Sequence, residues 1–343
     1  MRSAMITGLS GPELTSDEAA FLASARPAGL ILFARNCQAS DQIRRLVGSA
    51  REAIGADDVL VTIDCDGGRV QRLRPPPGRA LPPAAAYGHM HRRDPTGACR
   101  AAFLVAHLLA QDLRALGINT DCAPVLDVPV AGADGIIGDR AFSDDPQSVG
   151  ALGGAVAKGL MAGGVVPVMK HIPGHGRAGV DSHLALPVVS EPLEVLTGTD
   201  FAPFRASRSV PAAMTAHVVF AAIDPDAPAS TSPRVISQIV RGVIGFDGLL
   251  MSDDLGMKAL TGPMRGRAEA VIAAGSDIAL HCSGELAEMN AVAEGVPALT
   301  GAALRRFRGA AAVAAAGVPI RGAAGAAPGG GGAGRGGGGG SVE

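Results

Sequence analysis

Reactive side chains fall along this chain wherever a short apolar run ends. Residues 59–63 are followed by Asp64, Cys65, Asp66, Arg69 and Arg72. Residues 166–169 lead into Lys170 and His171, then Pro173-Gly174-His175-Gly176 and Asp181-Ser182-His183. Two further runs end at His217 and at Asp253-Asp254. An aspartate at the tip of a buried strand can act as a fixed carboxylate nucleophile, and Asp253 has that placement, although a rim cap would show the same spacing. Asp181 and His183 lie two apart in a glycine-containing loop. A carboxylate beside an imidazole fixes its tautomer and favours imidazolium, so the ring can give and recover a proton near neutrality. An exposed loop pair without a role would look alike in sequence. A nucleophile and an acid/base on one rim are the minimum for double displacement at an acetal carbon, here with histidine in place of one of the usual two carboxylates.

Something must hold these groups on one rim. Apolar runs predict strands at 3–7, 29–33, 59–63, 119–122, 166–171, 212–217, 248–252 and 277–281. Helical spacing predicts helices at 16–25, 40–54, 99–116, 146–162, 193–207, 233–244, 265–274, 286–293 and 301–315. Thr15-Ser16-Asp17-Glu18 has the pattern of an N-terminal cap, and Gly117, Gly163, Gly245 and Gly275 stand where helices close. Eight strands alternating with helices predict parallel βα units closing into a TIM (β/α)8 barrel, with an open doubly wound sheet as the alternative. Three long loops, 64–87, 123–145 and 172–190, follow strands three, four and five. In a barrel, that is the active-site face. The reading is therefore one barrel domain over 1–321. Residues 322–343 are mostly glycine and predict a disordered tail, because they cannot bury enough apolar surface to offset chain entropy.

Composition narrows the chemistry. A net charge of −2 over 343 residues gives no sign of a nucleic-acid or membrane-surface partner. No apolar stretch reaches the roughly 18 residues of a membrane span. The first nine residues do not have the build of a secretory leader. Five cysteines without CxxC spacing suit a reducing, cytoplasmic compartment better than a disulfide framework. With no Trp and one Tyr, Tyr87, an extended aromatic platform for a polysaccharide is not expected. Charged forks such as Asp64, Arg72, Arg140 and Lys170 would grip sugar hydroxyls instead, which suits a pocket for one terminal sugar. His171, His175, His217, Asp253 and His281 could be read as a metal hydrolase, but neither HxH nor HExxH spacing occurs, and no metal or other cofactor is expected.

The run Lys170-His171-Ile172-Pro173-Gly174-His175-Gly176, continuing to Asp181-Ser182-His183, resembles the signature of glycoside hydrolase family 3 β-N-acetylglucosaminidases. The segments Asp64-Cys65-Asp66-Gly67-Gly68-Arg69-Val70-Gln71-Arg72, Gly138-Asp139-Arg140-Ala141-Phe142 and Met251-Ser252-Asp253-Asp254-Leu255 are similar to further motifs of that family, in the expected order. The resemblance implies a retaining mechanism with Asp253 as nucleophile, His183 as general acid/base and Asp181 as its partner. It also implies that Asp64, Arg72, Arg140, Lys170 and His171 hold the sugar. The single-domain bacterial branch, which recycles peptidoglycan by cleaving N-acetylglucosamine from 1,6-anhydro-N-acetylmuramoyl peptides, is the most similar in layout. One departure stands out. Cys65-Asp66 occupies the place of the family's Gln-Glu, so the charge is kept one methylene shorter, and the resemblance gives Cys65 no role. Two other readings remain at this stage: substrate-assisted catalysis using Asp253-Asp254, and a sugar-binding protein without turnover. The partner in each case is a small sugar; the oligomeric state is not legible.

Overall fold

The computed structural model describes residues 1–316; the expected glycine-rich tail at 322–343 lies outside them, as does the far edge of the expected barrel domain. Eight parallel strands close into a barrel: β1 (Ser3–Gly8), β2 (Pro27–Leu32), β3 (Leu60–Ile63), β4 (Thr120–Asp121), β5 (Val166–Ile172), β6 (Ala212–Thr215), β7 (Leu249–Asp254) and β8 (Ile278–His281). Each strand pairs with its sequence neighbours, and β1 closes on β8 with Met5 opposite Ala279. The eight expected strands are all present, so the open-sheet alternative falls. No helix among the described residues is long and apolar enough to cross a membrane.

Alternation along the strands builds two cores. Ile6, Ile31, Leu60, Val168, Met251 and Leu280 point inward and share one cluster. Their neighbours Met5, Leu30, Leu32, Val61 and Ile63 point outward to the helices. Both faces of each strand are therefore covered, as parallel strands require. The helices are α1 (Ser16–Ala25), α2 (Ser40–Ile54), α3 (Ala84–His91), α4 (Pro95–Ala115), α5 (Pro146–Ala162), α6 (Leu193–Gly198), α7 (Ala202–Ala206), α8 (Met264–Ala274), α9 (Leu286–Gly295) and α10 (Gly301–Ala316). The last, α10, brings Phe307, Ala310 and Ala314 into the inward cluster and closes the barrel at the end where its strands begin.

The cap expected before α1 is a full capping box: Thr15 Oγ accepts from Glu18 N at 3.2 Å, and Glu18 Oε2 accepts from Thr15 N at 3.0 Å. Glycines close the helices as expected at Gly117, Gly163, Gly245 and Gly275; after α5 the left-handed conformation falls on the next residue, Gly164. Four helical expectations need correction. The single helix expected at 193–207 is two, α6 and α7, because the buried Asp200 carboxylate between them is taken by Arg177 Nε at 2.7 Å and by Thr199 Oγ1. The helix expected at 233–244 is π-wound over Val235–Val243. The one expected from residue 99 begins at Pro95, capped by Asp94, whose carboxylate accepts from Gly97 N at 2.8 Å. Inside the expected loop 64–87 the first turns of α3 form; Gly88 in that helix lies so close to the chain that a Cβ would sit 1.6 Å from the Phe142 carbonyl oxygen. A short hairpin, Cys65–Gly67 with Val70–Gln71, occupies the start of the same loop, turning through Gly67 and Gly68 at φ 93° and 56°.

Candidate active site

All eight residues picked from the sequence line one cavity of about 360 Å³ at the end where the barrel strands finish. Asp64 follows β3, and Arg72 closes the hairpin. Arg140 ends the 3-10 turn Gly138–Arg140 in the loop after β4, while Lys170 and His171 lie in β5. Asp181 and His183 stand in the loop after β5, and Asp253 lies in β7. Apolar walls come from Phe33, Ile136, Met214, Met257 and Leu280. The Arg72 guanidinium stands 5.5 Å from the centre of the Phe33 ring, close enough for a cation–π contact.

Neighbouring residues in a strand normally face opposite ways, yet both members of Lys170-His171 and of Asp253-Asp254 reach this cavity. The register of β5 shifts between Met169 and Ile172, and that of β7 shifts between Met251 and Asp254. Each irregularity re-aims a side chain, the usual service of a bulge beside an active site. Asp254 thus reaches the cavity from within the strand, since β7 runs to Asp254.

A buried charge cluster forms one side of the cavity. Lys170, 2% exposed, binds Asp64 and reaches Asp66 Oδ1 at 2.9 Å. Arg140 Nε donates to Asp66 Oδ2 at 2.7 Å, and Arg72 lies 3.5 Å from Asp64. Burial opposes every one of these charges, but the pairing outweighs it. Asp64 is held well below the usual carboxylate range by Lys170, Arg140 and Arg72, and Lys170 and Arg140 are raised by the two aspartates. Asp66, noted in the sequence only as a shortened motif residue, is the bridge between both cations. Arg69 is structural: it donates to Asp139 and to the carbonyls of Gly135, Ile136 and Ile137, tying the hairpin to the loop after β4.

Three histidines surround the Asp253 side. His171 Nδ1 meets Asp127 Oδ2 at 2.6 Å; because a carboxylate accepts, this fixes the proton on Nδ1 and leaves Nε2 for the cavity. Asp127, fully buried, also accepts the backbone N–H groups of His171 and His175. His217 Nε2 donates to the Asp254 carbonyl at 3.0 Å, so its Nδ1 accepts from Ser230 Oγ at 2.7 Å. Burial lowers the His217 pKa, keeping that ring neutral. His175 Nε2 pairs with Ser182 Oγ at 2.8 Å, inside the loop that bears His183. Burial would raise the Asp253 carboxyl, but His171 and the Asp254 N–H hold it below its ordinary value. It stands as an anion in the wall of the cavity. Asp254 is otherwise employed, its Oδ1 accepting from Gly256 N and Cys282 N, which accounts for it as a cap of the rim.

Above them, His183 Nδ1 meets Asp181 Oδ1 at 2.8 Å, and the same oxygen accepts the His183 N–H. The His183 side chain is 60% exposed, with Nε2 free of protein partners. Asp181 is lowered despite its partial burial because those N–H groups favour its charged form. The partners Asp127, Ser182 and Ser230 were not picked from the sequence. Ser182 stands inside the signature run with no role of its own read there, whereas Asp127 is 44 residues from His171 and Ser230 shares no motif with His217. Of the histidines once weighed as metal ligands, His281 is engaged by Glu288 at 3.0 Å, and among the described residues no group of three His, Cys, Asp or Glu has a metal-holding arrangement.

The chain matches the glycosyl hydrolase family 3 N terminal domain over residues 4–307. It is 40% identical over 304 residues to the β-hexosaminidase of Xanthomonas euvesicatoria pv. vesicatoria, covering 88% of each chain. Over 283 residues it is 40% identical to the β-hexosaminidase of Alkalilimnicola ehrlichii, covering 81% of this chain and 80% of that one. Among solved structures, NagZ of Neisseria gonorrhoeae in complex with N-trifluoroacetyl-D-glucosamine superposes with a TM-score of 0.83 at 34% identity over 90% of both chains. The glycoside hydrolase family 3 β-N-acetylglucosaminidase of Paenibacillus sp. gives 0.85 at 30% identity, covering 94% of this chain and 64% of that longer one. With the barrel, the ordered motifs and the match spanning nearly all described residues, the chain belongs to glycosyl hydrolase family 3 and is a glycoside hydrolase.

Proposed function

We propose that this chain is a retaining exo-β-N-acetylglucosaminidase that releases terminal N-acetylglucosamine from peptidoglycan fragments of the GlcNAc-1,6-anhydro-MurNAc peptide type. One observation carries the reading: an anionic Asp253 and a His183–Asp181 pair line the same cavity as a buried cluster of sugar-sized hydrogen-bonding reach. The names of the relatives, β-hexosaminidases, and the amino-sugar ligand of the Neisseria structure support the same substrate class. Asp64, Arg72, Arg140, Lys170 and His171 hold the hydroxyls of one sugar. An Asp253 oxygen bonds to the anomeric carbon while His183 Nε2 gives its proton to the leaving oxygen, so the glycosidic bond breaks and a glycosyl ester forms. Neutral His183 then takes a proton from water. The water oxygen bonds to the anomeric carbon, and Asp253 departs as carboxylate. Because Asp254 is bound to two backbone N–H groups, direct attack by Asp253 is favoured over acetamido participation with an Asp253-Asp254 pair. All five cysteines are free thiols, which supports a reducing, cytoplasmic setting.

The test is mass spectrometry of the intact protein after reaction with a slow 5-fluoro-N-acetylglucosaminyl donor, followed by peptide mapping. A single adduct on the peptide carrying Asp253 is expected. An adduct elsewhere, or turnover that persists in Asp253→Ala, overturns the assignment.

A further inference from the structure

A second, smaller cavity lies behind the sugar-binding cluster, between the barrel wall at β3 and β4 and the helices α3, α4 and α5. Its volume is about 40 Å³. Arg140 is in the wall of both cavities, so the two are separated by the thickness of one side chain. Asp121, the last residue of β4, projects into this space with no exposure. Its Oδ1 accepts the Cys65 N–H at 3.0 Å, while its Oδ2 is buried without a protein partner.

We propose that Asp121 is a positioning residue for the sugar cradle: it anchors the strand Cys65–Gly67, and through Asp66 on that strand it sets the grip of Lys170 and Arg140 on the substrate. The Cys65 N–H is the hairpin's attachment to β4, and the next residue, Asp66, is among the described residues the only carboxylate that touches both cations. Movement of the anchor therefore moves the bridge.

The charges around Asp121 make the anchor sensitive to protons. Asp64 faces it from the end of β3, Asp66 from the hairpin and Lys170 from β5. Two thiols, Cys65 and Cys122, adjoin it, each raised well above its ordinary value by burial. Tyr87 of α3, pushed up to about 12 by burial, and Arg140 complete the polar surroundings. α4 offers only apolar side chains such as Val105 and Leu109, and α5 offers Val156. Burial first, then Asp66, push the Asp121 carboxyl up to about 8. At neutral pH it is an uncharged acid beside two anions. When it ionises, a third carboxylate repels Asp66 and loosens its hold on both cations. Sugar binding then weakens more than the chemical step.

The kinetic consequence rests on the hexosaminidase reading above. Hydrolysis of a chromogenic N-acetylglucosaminide, followed from pH 6.5 to 9, is expected to show KM rising by about tenfold in the native chain, with kcat changing less. Asp121→Asn keeps the acceptor for the Cys65 N–H but cannot ionise, and its KM ratio between those pH values should fall to about twofold or less. His183 is present in both proteins, so its contribution cancels from the comparison. An alkaline rise in KM that is the same in both overturns the coupling. Hydrogen exchange needs no turnover: in Asp121→Ala, amides of residues 65–67 should exchange about tenfold faster, and Asp121→Asn should restore protection. Unchanged exchange in Asp121→Ala overturns the anchor. Absence of turnover in the native chain would refute the substrate reading, and exchange would still decide the anchor.

Discussion

Replacing Asp66 by Asn removes one charge from the middle of the buried cluster while keeping its shape. The native cluster balances Asp64 and Asp66 against Lys170 and Arg140, with the half-exposed Arg72 at its edge. In Asp66→Asn, the Arg140 side chain (8% exposed) loses its charged partner and Lys170 keeps only Asp64. Breaking a buried pair typically costs about 3–5 kcal/mol. The amide oxygen can still accept from Arg140 Nε, so the lower end, about 3 kcal/mol, is expected. For a domain of this size that corresponds to a fall in Tm of roughly 4 °C. If these cations hold the sugar as proposed, their release should raise KM for a chromogenic N-acetylglucosaminide by about tenfold or more, with a smaller loss in kcat. Thermal unfolding at pH 7 and steady-state kinetics on the same preparation read both effects. A Tm within about 1 °C of native together with an unchanged KM would refute the view that this carboxylate carries the cluster.

Three further outcomes follow from the geometry. His183→Ala should lower kcat by about 10²–10⁴-fold on substrates with poor leaving groups and far less on a nitrophenyl glycoside, since only the former need a proton from the imidazole; equal losses on both would remove its acid role. Thr15→Ala should destabilise the chain by about 0.5–2 kcal/mol in denaturant titration, because it removes the acceptor for the first turn of α1. Asp121→Asn should become progressively more stable than the native chain between pH 4 and pH 8: the folded carboxyl is raised to about 8 against 3.8, so native stability is highest below the unfolded value and is lost as pH climbs to the folded one. The ceiling on that difference is about 6 kcal/mol, and a pH-independent difference in urea unfolding would contradict it.

What could be read from the sequence was whatever repeats or ends locally. Strand tips announced themselves because an apolar run stops and a charge follows, so Asp64, Lys170, His171 and Asp253 were visible one segment at a time. Pairings that close only in three dimensions were not. Asp127 serves His171 across 44 residues and Asp64 meets Lys170 across 106, and neither spacing carries a pattern. The register shifts in β5 and β7 were likewise hidden, since a strand with an irregular turn has the same composition as one without. The break between α6 and α7 depends on Asp200 finding Arg177, a tertiary contact that overrides helical spacing. Cys65 shows the same limit: its side chain gives no clue, and the group that matters is its backbone N–H.

The helix beneath the barrel has a consequence for traffic. Phe307 and its neighbours pack beneath the inward side chains, so the barrel is filled from below and the cavity sits at the end where the strands finish. Asp253 lies in the wall of that cavity, and His183, 60% exposed, stands nearer to solvent. On the proposed reading, whatever is bonded to the captured sugar hangs outward, past the histidine, and drifts off first, leaving the bound residue below until water follows it down. On that reading the cavity works like a stack, last in and first out, and takes the end of a chain.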